Sequence, residues 1–576
     1  MFSFKNALKK SGVNERVDFL FLFIVFLAFL AVARLAYLQI FSHKDLSFQA
    51  ESQRRFSSVL EAERGRVFMV DRNGSAVELA TNGSEYSVFA VPKDILNKEE
   101  FAKKVSESLG MDYEVLFKRI SKENDPYEPV RSVVKEDKKA ELEAFGLKGL
   151  GFKEKKGRIY PNGNLGSHVS GFLSVKDAKG VGQYGIEEFY NDALSGRQGF
   201  IYGEKDSLGS NIIDEDQRSY TAINGDHLFL SVDPNVQFKI EDELKKVIEK
   251  WSAEAGSVIV MEPSSGRILG MANYPDFDPN EYALSKEISV FANGSVSGQY
   301  EPGSIFKPIT ISVGIDTNAI TPDTKYEDKG FLSVSGYTIK NYDGKVHGEN
   351  TMTQVLEKSL NTGTVFVVEK IQKDIFLNYL KKFGFGERTG IDLPGEAKGD
   401  IRNLDAKRDI NFDTASFGQG IAATPLQMIA AISAIANGGT LVRPHMVDEI
   451  IRSNGSKKYI EKDEVRKVIS EDSAKKVQKM LVSVVENGFD KAKIPGYFVA
   501  GKTGTAQIPN TNGKGYSDDT IHSFVGFAPA YNAKFIVLIK LDKPQGVRFA
   551  SVSLTSTFRE IMNYLLNYYE IKPDFQ

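Results

Sequence analysis

An uninterrupted apolar run, Phe19 to Ala33 (FLFLFIVFLAFLAVA), constrains this 576-residue chain more than any other feature. Leu35 to Ile40 extend it beyond Arg34, and the whole reaches the roughly 20 residues that cross a bilayer as a helix. Arg34 lies near the far end, where its side chain can reach the interface. Lys5, Lys9, Lys10 and Arg16 precede the run, against Glu15 and Asp18. That excess of positive charge predicts a cytoplasmic N-terminus and places everything after residue 41 outside. Ala31-Val32-Ala33 resembles a signal-peptidase site, but the apolar stretch continues past it, which favours an uncleaved anchor. No second long apolar run follows, so one pass is expected.

Composition narrows the function classes. Hydrophobic residues make up 41% and charged residues 26%, as in an ordinary globular protein. The net charge of -3 offers no global basic field, so nucleic acid is not an expected partner. Cysteine is absent, which excludes disulfides, thiolate catalysis and cysteine-held metals. The six histidines, at 43, 168, 227, 347, 445 and 522, show no ligand spacing, so no metal is expected. His522 and Asp518 lie near Lys502-Thr503-Gly504 and could line a cleft there, but a surface-loop reading is favoured; Trp251 reads as core.

Beyond the anchor the chain divides into two extracytoplasmic parts. Residues 42–63 read as a polar, helix-prone stalk. From Arg64 to about Asp226, short β-rich pieces such as 66–70 and 85–91 alternate with Asn/Gly turns, and Lys/Glu-rich helices fill 94–145. No catalytic constellation stands out there. The second part opens with a strand at 228–232, a helix from Asp233-Pro234 to Trp251, and a hairpin, 256–261 with 267–271. Residues 304–440 read as mostly helical, and strands follow at 497–500, 523–527 and 534–539 before a final helix at 551–567. Residues 510–519 read as an exposed loop. Strands at both ends with helices between predict an α+β domain whose sheet is assembled from distant segments. The boundaries are a cytoplasmic tail 1–16, an anchor 17–40, a pedestal 41–225 and a second domain 226–576.

Ser304-Ile305-Phe306-Lys307 follows a Pro-Gly break and places a hydroxyl and an amine on one face of a nascent helix. A lysine one turn from a serine can take its proton if burial or nearby positive charge destabilises the ammonium. Ser359-Leu360-Asn361, 55 residues on, supplies a second hydroxyl and an amide. Lys502-Thr503-Gly504-Thr505, after the strand at 497–500, offers a cation and two hydroxyls to a carboxylate. A strand edge there can pair with an extended peptide, with Gly504 allowing close approach. Each motif alone is common; each serine and lysine could be a helix cap or a solvated side chain.

In this order the three motifs are the set of class A β-lactamases and penicillin-binding proteins. The chain resembles the class B penicillin-binding proteins, monofunctional D,D-transpeptidases of peptidoglycan synthesis. Arg64-Gly65 with Asp71-Arg72-Asn73-Gly74 and Leu79-Ala80 is similar to the family's N-terminal box, with longer spacers. Gly166 to Phe172 and Gly182 to Glu187 resemble pedestal motifs; Phe417-Gly418-Gln419-Gly420 with Thr424-Pro425-Leu426-Gln427 is a further match. Asn361 is similar to the division-type branch, whereas the elongation branch usually has Asp there.

The resemblance implies an antiparallel sheet flanked by helices, standing on an elongated α+β pedestal behind one transmembrane helix in the bacterial cytoplasmic membrane. It implies that Ser304 attacks the D-Ala-D-Ala carbonyl of a stem peptide, on lipid-linked precursor or nascent glycan, with Lys307 as base. Ser359 would pass a proton to the leaving amine, Asn361 orient the peptide amide, Lys502 support the electrostatics, and Thr503 and Thr505 hold the carboxylate. It also implies covalent inhibition by β-lactams, no cofactor, and as partners a separate glycan polymerase and divisome membrane proteins. The competing expectations are an elongation-type transpeptidase, a D,D-carboxypeptidase or β-lactamase, and a non-catalytic β-lactam sensor or division scaffold.

Overall fold

The computed structural model describes residues 14–40, 57–122, 125–176, 179–202, 204–205, 211–212, 219–510 and 515–575. Residues Asn14–Ile40 form one 27-residue helix. Several of its side chains lie outside the described set, and among the described residues no helix is long and apolar enough to cross a membrane. Most of the expected tail, residues 1–13, and most of the expected stalk fall outside the described residues. The stalk's end, Ser57–Leu60, is a strand rather than helix. It pairs antiparallel with Gly199–Tyr202, which pairs in turn with Ser219–Tyr220.

Residues 63–196 and 224–576 make the second compact unit. Its larger sheet runs Lys457–Tyr459, Val447–Ile451, His227–Leu230, Val67–Val70, Ala76–Ala90 and Glu128–Val134, with Leu150–Ile159 also on Ala76–Ala90. The strand Glu128–Val134 separates helices Tyr113–Ile120 and Glu136–Ala144, where only helices were expected. Arg64 of the N-terminal box meets Glu187 of the pedestal motif: Nε donates to Oε2 at 2.7 Å, and Arg158 Nε donates to Oε1 at 2.6 Å.

The second sheet has five antiparallel strands in the order Ile268–Tyr274, Ala255–Met261, Phe535–Asp542, Tyr516–Ala528, Ala500–Pro509. Its two central strands are apolar on both faces because helices cover both. On one face Val258, Val260, Val537, Ile539 and Phe524 pack with Ile240, Leu244, Phe558, Ile561 and Leu565 of helices Pro234–Trp251 and Thr555–Tyr568. Ile259, Met261, Ile536, Leu538 and Phe527 point the other way, into a helical layer containing Pro425–Ala436. The first helix starts as its sequence predicts. Asp233 accepts from Asn235 N at 2.8 Å and Val236 N at 3.3 Å, Pro234 stands at the first turn, and Val236, Ile240, Leu244 and Val247 share the buried face. Trp251 packs at the edge of that cluster.

Three further expectations are corrected. The strand expected at 497–500 begins at Ala500 and runs through Lys502-Thr503-Gly504-Thr505 to Pro509. The expected 510–519 loop is shorter, because Tyr516 already pairs with Pro509. The segment 325–351, expected to be helical, holds two nested hairpins: Lys325–Asp328 with Gly348–Thr351, and Phe331–Val334 with Tyr337–Lys340. Ser335 and Gly336, at φ 49° and 82°, form a two-residue loop whose left-handed geometry suits the strand twist.

Candidate active site

Gly303–Phe306 is a 3-10 turn leading into the helix Lys307–Asp316. Gly303 N donates to Gly418 O at 3.0 Å, and Gly420 N donates to Glu301 Oε1 at 2.9 Å, so the Phe417-Gly418-Gln419-Gly420 motif braces the turn that carries Ser304. Gly418 sits at φ +77°, and a Cβ there would lie 2.4 Å from Gly303 O. Only glycine fits both constraints. Thr424 and Gln427 form a capping box that starts the buried helix Pro425–Ala436 behind it.

Helix Met352–Glu357 ends by placing Ser359 at φ +53°, a left-handed position that normally favours glycine. Leu360 N closes the turn on Val355 O at 2.9 Å. This geometry aims both oxygens of Ser359 at Lys307. Lys307 is fully buried, and its Nζ donates to Ser359 O at 2.6 Å, Asn361 Oδ1 at 2.7 Å and Ser359 Oγ at 3.2 Å. Lys502, 1% exposed, donates from Nζ to Ser359 Oγ at 3.0 Å and to Thr503 O at 3.2 Å. Burial and then the nearby charge of Lys502 hold Lys307 well below the usual lysine range. Burial pulls Lys502 down to about 7.

These contacts define a proton inventory. A neutral Lys307 has two N–H donors, and Ser359 O and Asn361 Oδ1 are pure acceptors for them. Its lone pair is then left for a hydroxyl. Among the described residues the partly exposed Ser304 side chain makes no hydrogen bond, so its oxygen is uncommitted. Asn361 Nδ2 donates to Lys340 O at 2.8 Å, so the amide expected to orient substrate also ties the inner hairpin to the site.

The Ala500–Pro509 strand ends the sheet, leaving one edge unpaired among the described residues. Lys502, Gly504 and Ala506 face inward while Thr503 and Thr505 are partly exposed. Gly504 was expected to make room for a substrate. Its missing side chain makes room within the protein: a Cβ would lie 2.5 Å from Ser523 Oγ and 3.0 Å from Pro302 O. Thr505 Oγ1 accepts from Ala550 N at 3.1 Å, which leaves its O–H free to donate to a carboxylate. His522 pairs across from Thr505 and is buried, not a surface residue; its Nδ1 lies 2.8 Å from Ser553 Oγ, and burial lowers it to about 4. The sequence offered no signal for Ser523 or Ala550 as neighbours of these motifs, because each contact joins segments remote in the chain.

Lys307, Ser359, Asn361 and Lys502 are thus joined by hydrogen bonds, with Ser304 one turn before Lys307 at the helix start, and no group of acidic or histidine side chains suited to a metal occurs among the described residues. Residues 256–563 match the model of the penicillin binding protein transpeptidase domain, and residues 59–230 that of the penicillin-binding protein dimerisation domain. The chain is 35% identical to stage V sporulation protein D of Bacillus subtilis over 97% of its own length and 87% of that protein's. It is 29% identical to PenA of Neisseria gonorrhoeae, named a probable peptidoglycan D,D-transpeptidase, over 97% and 94%. Among solved structures, penicillin binding protein 3 of Mycobacterium tuberculosis complexed with aztreonam superposes with a TM-score of 0.69 at 25% identity, covering 90% of this chain and 98% of that one. A peptidoglycan synthetase of Bifidobacterium adolescentis gives 0.70 at 26% identity, with the same coverage. A transpeptidase domain matched across more than half the chain, joined to a dimerisation domain, means that this protein belongs to the class B penicillin-binding proteins.

Proposed function

We propose that this protein is a peptidoglycan D,D-transpeptidase that cross-links stem peptides through an acyl-enzyme on Ser304. The observation that carries the reading is the convergence of Lys307 and Lys502 on Ser359, with Lys307 opening the helix that Ser304 leads into. Ser304 Oγ attacks the carbonyl of the penultimate D-Ala while its proton passes to neutral Lys307. Backbone N–H groups of Ser304 and Thr505 hold the oxyanion; one such donor typically contributes ~3 kcal/mol. The C–N bond then breaks, the proton reaches the leaving D-Ala amine by way of Ser359, and the ester remains on Ser304. An amine of a neighbouring stem peptide attacks that ester, forming the new amide and returning the proton to Ser304. Lys502 with the Thr503 and Thr505 hydroxyls binds the terminal carboxylate, and Asn361 faces the peptide amide. β-Lactams would acylate the same serine.

The chain is organised as a short cytoplasmic tail 1–16, a membrane anchor 17–40, a pedestal 41–225 and a catalytic domain 226–576 outside the membrane. The apolar run within the Asn14–Ile40 helix supports the anchor. It works beside a separate glycan polymerase and division-associated membrane proteins. Asn361 supports the division branch. A second reading, the same chemistry in a sporulation-stage wall, is favoured by the 35% identity to stage V sporulation protein D. Labelling with a fluorescent penicillin tests the chemistry: wild type should take one covalent label and Ser304→Ala none. A wild type that takes no label sinks the reading.

A further inference from the structure

We propose that Asp328, acting through Asn341 and Thr362, is a positioning residue for acyl transfer: it fixes the orientation of the Asn361 amide and so the hydrogen bonding of Lys307. The inference rests on the transpeptidase reading of Ser304 and goes beyond its three motifs.

Asp328 ends the outer hairpin's first strand and is fully buried. Its carboxylate accepts from Gly330 N at 3.0 Å, from Asn341 Nδ2 at 3.0 Å on each oxygen, from His347 N at 2.9 Å and from Thr362 Oγ1 at 2.7 Å. These donors come from both ends of the inner hairpin and from the first turn of helix Asn361–Glu369. The other titratable groups at this node are Tyr326, whose hydroxyl lies 3.5 Å from Asp328 Oδ1, and His347, whose ring pairs with Asp343 at 3.1 Å. Hydrogen bonds, mainly, keep Asp328 ionised, below its ordinary range despite burial. One buried carboxylate therefore locks the hairpin onto the helix that presents Asn361.

The consequence for chemistry runs through adjacent atoms. Asn341 follows Lys340, whose carbonyl accepts from Asn361 Nδ2 at 2.8 Å. An amide held by its nitrogen must turn its oxygen the other way, and that oxygen accepts a hydrogen bond from Lys307 Nζ at 2.7 Å. If the Lys340 carbonyl drifts, the Asn361 amide is free to flip. A flipped amide offers N–H to Lys307 and occupies the lone pair that must receive the Ser304 proton. Placement errors of this size near reacting atoms slow reactions by up to about a hundredfold.

The test separates acylation from binding. The full chain in detergent is mixed with a fluorescent penicillin, and the acylation rate constant and the preceding dissociation constant are resolved by stopped flow. Thr362→Val, nearly isosteric, removes a hydroxyl bond to Asp328; it should slow acylation roughly tenfold and leave the dissociation constant within about twofold. Thr362→Ser, which keeps the hydroxyl, should restore the wild-type rate. In an Asn361→Ala background the Thr362→Val loss should vanish, because both act on one route. Asp328→Asn should give the larger defect if it folds; the Thr362 pair decides the matter if it does not. Equal acylation rates for Thr362→Val and wild type, or a loss that persists unchanged in Asn361→Ala, overturn the inference while the transpeptidase reading stands. A wild type that takes no label overturns both.

Discussion

Lys307 and Lys502 meet on one oxygen: their Nζ atoms lie 3.2 Å and 3.0 Å from Ser359 Oγ. Two ammonium groups sharing one hydroxyl in a buried site repel, so one proton is given up readily. The lysine beside Ser304 is the one driven down by both burial and its neighbour. The acylation rate with a penicillin should therefore rise with pH along a limb centred well below the ordinary lysine value of 10.5. In Lys502→Ala the like charge is gone, so the limb should move to higher pH. A stopped-flow pH profile of the acylation step reads both.

The same burial has a signature in stability. Lys502 titrates at about 7 in the fold against 10.5 in the unfolded chain. Between those values the unfolded chain binds more protons, so this group makes stability increase with pH across that window. Its destabilising effect is complete below about 7 and relieved as pH rises toward 10.5. Lys307 acts with the same sign. Denaturant midpoints at pH 7 and 9 compared between wild type and Lys502→Met should show the slope shrink in the variant.

Ser359 separates fold from function at a single residue. Its φ of +53° disfavours every side chain, and glycine relieves that at about 1 kcal/mol. Ser359→Gly and Ser359→Ala both lose the shared hydroxyl and should both acylate poorly. The glycine variant should be the more stable of the two by about 1 kcal/mol in denaturant titration. Equal stabilities would remove strain from the account.

Gly504→Ala should damage the site without touching a reacting group. The new methyl would meet Ser523 Oγ and Pro302 O, displacing the turn that carries Ser304. Overpacking of this kind costs about 1–3 kcal/mol. The acylation rate should fall at least as far as stability does, measured on the folded fraction.

In the segment matched to the dimerisation domain, Glu187 accepts from Arg64 and Arg158, and Arg158 is only 2% exposed in its side chain. Glu187→Gln leaves a buried guanidinium uncompensated, which should cost about 3–5 kcal/mol. The two arginines hold Glu187 below the ordinary carboxylate range against the opposing effect of burial. Its contribution is thus present above the unfolded value and lost as pH falls through the folded one. Folded Glu187→Gln should still acylate at the wild-type rate; loss of stability with retained chemistry is the expected pattern.

Much of this was legible in the chain, for local reasons. Asp233-Pro234 followed by apolar residues at helical spacing starts a helix whatever surrounds it. Lys307 lies one turn from Ser304 because a helix begins there. The hairpins of 325–351 were missed although Ser335-Gly336 carried a turn signal, since their short strands sit among helical patterns. Asp328 had no signal at all: an isolated aspartate becomes a node only when Asn341, His347 and Thr362 are folded around it.

The sequence by itself determined which groups are available: two lysines, two serines and an asparagine in a particular order, and the helix and strand starts that carry them. Tertiary structure alone decided their chemical state. A lysine becomes a base only when burial and a second lysine act on it together, and both come from residues nearly 200 positions apart, Lys307 and Lys502. Gly504 likewise owes its role to Pro302 and Ser523, neighbours that exist only once the sheet has closed. Local pattern sets propensity, whereas dielectric, charge proximity and steric limits depend on which distant segments the fold brings together.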